Sequence, residues 1–194
     1  MINDEGKHMN ILLLHDQKSI ENNAIHDLVL KMLTQEGHNV ESIKLNFNEI
    51  KACVGCFACW IKTPGQCAIT GDEANRLAAK QIRADVIVLV SEIKYGGFSS
   101  DIKAFLDRAI QNILPHFVIY KGEMHHPMRY EKFPIWIAIG YGDVSDGEKQ
   151  TFIRLADRNA LNKRPLRHLA ITVRDCTELT NKKQVILDVL EARV

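Results

Sequence analysis

Short apolar runs separated by amphipathic segments set the pattern along this chain. Residues 10–14 (NILLL) form a continuous apolar run, as expected of a strand buried on both faces. Polar HDQKSIENN follows, and then Ile25, Leu28, Val29, Met32 and Leu33 mark one face of a helix that Gly37 stops. Residues 40–45 alternate and predict a second strand. After a cysteine-rich stretch, Asp72 opens a helix carrying Ala74, Leu77, Ala78 and Ile82, and 85–90 (DVIVLV) is the clearest strand. The loop SEIKYGGFSS leads into a helix whose stripe is Ile102, Phe105, Leu106, Ala109, Ile110 and Ile113, with Pro115 just past its end. Residues 116–133 read as irregular. A fourth strand spans 134–139 (PIWIAI), followed by GYGDVSDGE and a helix to about Leu161. A fifth strand at 166–173 and a last helix at 178–192 complete the pattern.

Alternating strands and helices with apolar strands imply a parallel sheet covered by helices on both faces. Five such strands match the flavodoxin-like doubly wound order 2-1-3-4-5, which binds ligands at the carboxyl ends of its strands. Residues 1–9 read as a disordered lead-in and 10–194 as a single domain. A length of 194 residues, 46% hydrophobic and 25% charged, suits one globular domain with a core of its own. A net charge of +1 gives no overall field for nucleic acid or an anionic membrane, and no apolar run approaches the roughly 20 residues of a membrane span. The opening MINDEGKHMN lacks an apolar segment, so no signal peptide is expected. Five cysteines, four of them clustered, favour reduced or ligating thiols and a cytoplasmic address.

The chemistry is expected where the loops after strands one, three and four converge. The first, 15–23, leads into a helix N-terminus that favours a phosphate, with Lys18, Ser19, Asn22 and Asn23 as added donors; a solvated N-cap is the competing reading, and Asp16 and Glu21 oppose an anion. In the second, Gly96 and Gly97 allow close approach of a flat ligand, Tyr95 and Phe98 offer aromatic surface, and Ser99, Ser100 and Asp101 cap the next helix. Gly140, Tyr141 and Gly142 offer a second glycine-lined wall. Together these loops suit a planar, phosphorylated cofactor such as FMN. The run CVGCFACWIKTPGQC places Cys53, Cys56 and Cys59 within about a 120° arc if helical, and Cys67 returns after a Thr-Pro-Gly turn. Such thiols suit an iron–sulfur cluster, zinc or dithiol chemistry, or are buried packing residues. His116, His125 and His126 read as surface residues and Cys176 as structural. No spacing identifies a catalytic acid, base or nucleophile.

SEIKYGGFSSDIKAFLDR resembles the ring-binding loop and following helix of NADPH-dependent FMN reductases. CVGCFACWIKTPGQCAITGD resembles the cysteine segment of their relatives, the iron–sulfur flavoproteins and multimeric flavodoxins, and ADRNALNKRP has the look of the same group. The resemblance covers roughly 10–165. It implies a flavodoxin-like fold, FMN at the strand ends, NAD(P)H as co-substrate, a small-molecule electron acceptor, and homodimers or homotetramers with neither nucleic acid nor membrane as partner. By that resemblance Lys18, Asn22 and Asn23 fall on phosphate-loop positions, Glu92, Ile93, Lys94, Tyr95, Gly96 and Gly97 on the flavin-ring loop, and Gly140, Tyr141 and Gly142 on its opposite wall. Cys53, Cys56, Cys59 and Cys67 fall on the four ligands of a 4Fe–4S cluster.

The chain departs from the family pattern GSPRxxGNT in its first loop: His15 replaces Gly, Asp16 replaces Ser and Lys18 replaces Arg. In the second loop Glu92 stands for the usual proline and Lys94 for the usual tyrosine. The expected activity is that of an FMN-dependent NAD(P)H oxidoreductase of the flavin- or quinone-reductase type. Its rivals are an iron–sulfur flavoprotein that carries electrons and a flavin-free binding module.

Overall fold

A computed structural model describes residues 8–16 and 20–191, and the side chains of 20–23 lie outside that description. The strands are β1 (Asn10–Asp16), β2 (Asn39–Leu45), β3 (Val86–Glu92), β4 (Val118–Tyr120), β5 (Glu123–His125), β6 (Ile135–Tyr141) and β7 (His168–Val173). The helices are α1 (Ile20–Gln35), α2 (Ala58–Ile61), α3 (Ala74–Arg83), α4 (Ser100–Arg108), α5 (Asp146–Lys163), α6 (Cys176–Asn181) and α7 (Lys183–Glu191).

Five strands form a parallel sheet in the order β2-β1-β3-β6-β7. Counted along the parallel strands alone, this is the expected doubly wound order. Side chains of alternate residues leave the sheet on opposite faces. Leu13, Val88 and Ile137 pack with Val29 and Leu33 of α1, Leu179 of α6 and Ile186 of α7. Leu12, Leu89 and Trp136 pack on the other face with Leu77 of α3, Phe105 of α4 and Phe152 and Ala156 of α5. Both faces of β3 and β6 are therefore dry, which is why these runs carry no polar alternation.

Three elements differ from expectation. The segment 116–133 contains a β-hairpin, β4–β5, absent from the sequence reading. Its turn places Lys121 and Gly122 both at positive φ (51° and 79°), the conformation that matches strand twist in a two-residue loop. Within it His125 is buried, hydrogen-bonded to Asn162 Oδ1 at 2.8 Å and Glu123 Oε2 at 3.0 Å, so the surface assignment of this histidine is corrected. The C-terminal helix is two helices. The break falls at Lys182, whose backbone N–H is shared among the carbonyls of Glu178, Leu179 and Thr180 and whose Nζ donates to Thr172 O at 2.7 Å. Finally, α4 tightens into a 3-10 turn at Ala109–Asn112 rather than continuing to Ile113. Among the described residues no helix is long and apolar enough to cross a membrane.

At the amino end of the sheet Lys163 is buried, its ammonium 5.5 Å from the Phe133 ring centre and 5.7 Å from that of Trp136. Burial pulls its pKa down to about 8. Between pH 8 and the ordinary lysine value the unfolded chain binds the extra proton, so stability rises with pH there, and below it the folded state carries the full cost of the buried charge. Lys163→Met keeps the volume and removes the charge. Thermal denaturation should show it more stable at pH 7 by about 1–3 kcal/mol, with the gain shrinking toward pH 10.

Candidate functional site

The carboxyl ends of β1, β3 and β6 meet at one side chain. Asp16 is 2% exposed. Its carboxylate accepts the Glu92 backbone N–H, at 2.9 Å to Oδ2 and 3.2 Å to Oδ1, and the Tyr141 hydroxyl at 2.7 Å to Oδ1. The same hydroxyl also reaches the Asp16 carbonyl at 3.0 Å. One carboxyl thus ties the first loop to the two others. Burial pushes its pKa up to about 6, with the hydrogen bonds opposing and the nearby Asp101 reinforcing the rise. Burial and the Asp16 carboxylate in turn push the Tyr141 phenol well above its ordinary value, so it stays a neutral donor. Beside it, His15 is buried and stacked on His26 with ring centres 3.7 Å apart. Burial, then His26 and Lys44, lower the His15 pKa to about 4, so it brings no positive charge at neutral pH.

The second loop is a tight turn closed by Lys94 N–H to Gly97 O at 3.0 Å and Gly97 N–H to Lys94 O at 2.8 Å. Tyr95 and Gly96 form its tip at φ 51° and 74°. Tyr95 is 96% exposed and holds the one ring of this loop turned to solvent. Phe98 is buried against Phe152, ring centres 4.9 Å apart, and Tyr141 is buried as well, so neither presents a face to a ligand as expected. The glycines have a different reason from the one expected. A Cβ on Gly96 would stand 2.7 Å from Thr151, and one on Gly140 would stand 2.7 Å from the Phe152 ring and 2.9 Å from Ile93 Cγ1. What approaches these two backbones is α5, rather than a flat ligand.

Of the other predicted positions, Ile93 is buried and its N–H joins Tyr141 O at 2.9 Å. Lys94 pairs with Glu92 at 2.6 Å. Gly142 lies at φ 138° and bonds Val173 O at 3.1 Å. Lys18 lies outside the described residues, as do the side chains of Asn22 and Asn23 in the first turn of α1. The residue that sequence reasoning undervalued is Asp16. Its signal was a carboxylate ending a dry strand four residues before a helix.

Cys53, Cys56, Cys59 and Cys67 line one small cavity of about 20 Å³, with Phe57, Ile110 and the buried Arg108 also on its wall. The helical arrangement is corrected: only Cys59 lies on α2, because Gly55 and Phe57 take positive φ (65° and 53°) and keep Cys53 and Cys56 out of it. Cys59 and Cys67 are buried and Cys56 is exposed. Burial, then the neighbouring Cys67 and Cys53, raise the Cys59 thiol pKa. Cys67 is pinned through its N–H to Asn75 Oδ1 at 2.9 Å and Gln111 Oε1 at 3.1 Å. As donors, four thiols suit a soft metal. As folded, the cavity has room for about one water, and among the described residues no three His, Cys, Asp or Glu side chains are arranged to hold a metal ion.

The family model for NADPH-dependent FMN reductase matches residues 9–129, more than half of the chain. An iron-sulfur flavoprotein from Methanocaldococcus jannaschii is 35% identical over 80 residues, which are 41% of this chain and 40% of that protein. The match to this relative thus spans about two-fifths of its length. Among solved structures, an NAD(P)H:quinone oxidoreductase from Methanothermobacter marburgensis superposes with a TM-score of 0.68 at 9% identity, over 97% of this chain and all of that one. A flavone reductase superposes with a TM-score of 0.62 at 17% identity, over 95% of this chain and 62% of that one. At such identities these likenesses describe the flavodoxin-like fold.

Proposed function

We propose that this chain, which belongs to the NADPH-dependent FMN reductase family, is an oxidoreductase that binds FMN in the crevice above Asp16, takes a hydride from NAD(P)H and reduces a small acceptor. The observation that carries the reading is the convergence of the three strand-end loops on Asp16 at the switch point of a doubly wound sheet. Bound flavin would supply the hydride and electron chemistry. The chain's own part is to hold it: the rigid 92–97 turn under α5 forms a shelf, Tyr95 offers a free ring, and residues from Gly140 to Gly142 close the far side. Asp16 and Tyr141 are buried in one another's hydrogen bonds and present neither acid nor base to solvent.

A spectrum of protein purified without oxygen should show flavin bands, and acid should release FMN. Added FMN at a hundredfold over Kd should stabilise the native state by about 2.7 kcal/mol. Oxidation of NADH or NADPH with a quinone should give parallel double-reciprocal lines. Flavin-loaded protein that oxidises neither nucleotide with any acceptor would overturn the reading.

The shared cavity of the four cysteines favours a second reading, an electron carrier whose thiolates hold an iron–sulfur cluster beside the flavin. The segment 53–57 would have to open to admit it. Iron and acid-labile sulfide in the anaerobic protein, lost on Cys56→Ala, would move the assignment to this reading.

A further inference from the structure

The β4–β5 hairpin turns most of its polar side chains toward the protein and its apolar ones outward, the reverse of an ordinary surface strand pair. Alternate residues leave such a pair on opposite sides, so Val118, Tyr120, Glu123 and His125 share one face and Phe117, Ile119, Met124 and His126 the other. The inner face is fastened to α5. The Arg164 guanidinium lies 4.4 Å from the Tyr120 ring centre, Arg158 donates to Glu123 at 3.0 Å, and His125 meets Asn162 at 2.8 Å. Even Lys121, in the turn, leans over the Tyr120 ring. The outer face carries no Asp, Glu, Lys or Arg. Phe117 is 66% exposed, and Ile119 and Met124, directly opposite each other in the pair, are 72% and 66% exposed. A line of ring contacts extends this face onto α2: Phe117 to His126 at 4.8 Å, His126 to Trp60 at 4.8 Å, and Trp60 to Phe57 at 5.0 Å. Phe57 and Ile61, one helical turn apart, are both exposed, and Phe57 also lies on the wall of the cysteine cavity.

We propose that this apolar face is an interface between two copies of the chain, packed hairpin to hairpin about a twofold axis. Phe57, Ile61, Phe117, Ile119 and Met124 together expose roughly 700 Å², close to the ~800 Å² that each partner gives to a standard protein interface. An isolated apolar patch of that extent is unusual on a monomer. The absence of charge leaves nothing on the face to select a partner of opposite sign. Its open strand edge points to a second copy: among the described residues β4 pairs with β5 alone, and the antiparallel edge of an identical strand complements it without further design. Laid antiparallel, two hairpins match apolar face to apolar face and carry their Lys121 turns to opposite ends. The inference does not depend on which cofactor the crevice holds.

The test is sedimentation velocity of the full chain as purified, for the wild type, Ile119→Lys, and Ile119→Lys with Met124→Thr, with the melting temperature of each recorded. Both positions are exposed, and threonine keeps the strand preference of residue 124. Interfaces of this size hold with Kd values of about micromolar or tighter, so at ~20 μM the wild type should sediment as two chains or more. The double variant should fall to half the wild-type mass with its melting midpoint intact, and Ile119→Lys alone should raise the dissociation constant at least tenfold. Val185→Lys, on α7 at the other face of the sheet, should keep the wild-type mass. A monomeric wild type overturns the proposal, whether or not the variants fold. If that monomer floats with vesicles of phosphatidylcholine and phosphatidylglycerol, the face belongs to a lipid surface instead. Folded Ile119 variants that keep the wild-type mass and dissociation constant place the interface elsewhere and overturn it as well.

Discussion

Arg108→Met is expected to destabilise the protein by about 3–5 kcal/mol, among the largest effects of any single substitution outside the apolar core. Arg108 and Asp72 form a buried ion pair with essentially no exposed side chain on either partner. The guanidinium donates to Asp72 at 2.7 and 3.3 Å, and also to the carbonyls of Lys51 at 2.7 Å and Ile69 at 2.9 Å. Asp72 accepts the N–H of Lys51 at 3.0 Å and of Ala74 at 3.2 Å. Burial, the largest single influence, raises the Asp72 carboxyl, but the Arg108 hydrogen bonds, the N–H groups of Lys51 and Ala74 and the Arg108 charge together hold it below its ordinary range. Methionine would fill the volume while leaving a buried carboxylate and two carbonyls without their donor. Breaking one side of such a pair costs more than removing both, so Arg108→Met with Asp72→Leu should recover part of the loss. The same cation closes both ends of the segment that carries the four cysteines. Urea denaturation should therefore show the loss, and alkylation of native protein should reach Cys59 and Cys67, which are buried in the wild type. A destabilisation under 1 kcal/mol with both thiols still protected would show that the ion pair is not what fastens this segment.

Much of the fold was legible because its central strands are dry on both faces. A run such as VIVLV has no other stable place in a protein of this length, and three such runs with amphipathic spacers leave few topologies. The β4–β5 hairpin escaped because its strands are three residues long and half exposed, too short for alternation to register. The break at Lys182 escaped because its cause is tertiary: a lysine ammonium bonded to a carbonyl of β7 is invisible to a helical periodicity. At the site, the sequence displays residue types but not their partners. Glycines at 96 and 140 announce a close approach, and nothing in the sequence says that the approaching group is Thr151 or Phe152 of the protein's own helix. Phe98 and Tyr141 were equally ambiguous, since an aromatic ring after a strand packs on a ligand or on the next helix by the same physics. The four cysteines line one cavity, but the helix expected to bring them together is replaced by two left-handed residues and a loop. Asp16 shows the opposite error. In the sequence it is only a departure from the family's first-loop pattern, while its position at the junction of three strands makes it the residue that ties their carboxyl ends together.

Phe152→Ala should cost about 3–5 kcal/mol, the range for removing a fully buried phenyl ring. Phe152 has no exposed surface, packs edge-on against Phe98, and lies over the bare backbone of Gly140. Gly140→Ala meets the same ring from the other side. Its new methyl would stand 2.7 Å from Phe152 and 2.9 Å from Ile93, and no positive φ is at issue at this position, so the cost of about 1–3 kcal/mol is overpacking alone. If these two costs arise from one contact, they cannot add. In the double variant the methyl enters space that the ring has vacated, and the loss should fall short of the sum by at least about 1 kcal/mol. Denaturation of the four proteins measures that coupling, and additivity within about 0.5 kcal/mol would show that α5 does not rest on Gly140 through this ring. The contact also bears on the wall proposed to hold flavin. Ile93 leads into the turn closed by Lys94 and Gly97, the shelf proposed to hold flavin, and its N–H is bonded to Tyr141 O, so a methyl that pushes on Ile93 pushes that shelf away from the crevice. Gly140→Ala should therefore weaken flavin binding beyond its effect on stability, whereas Phe152→Ala in the same background should restore part of it by giving α5 room to settle.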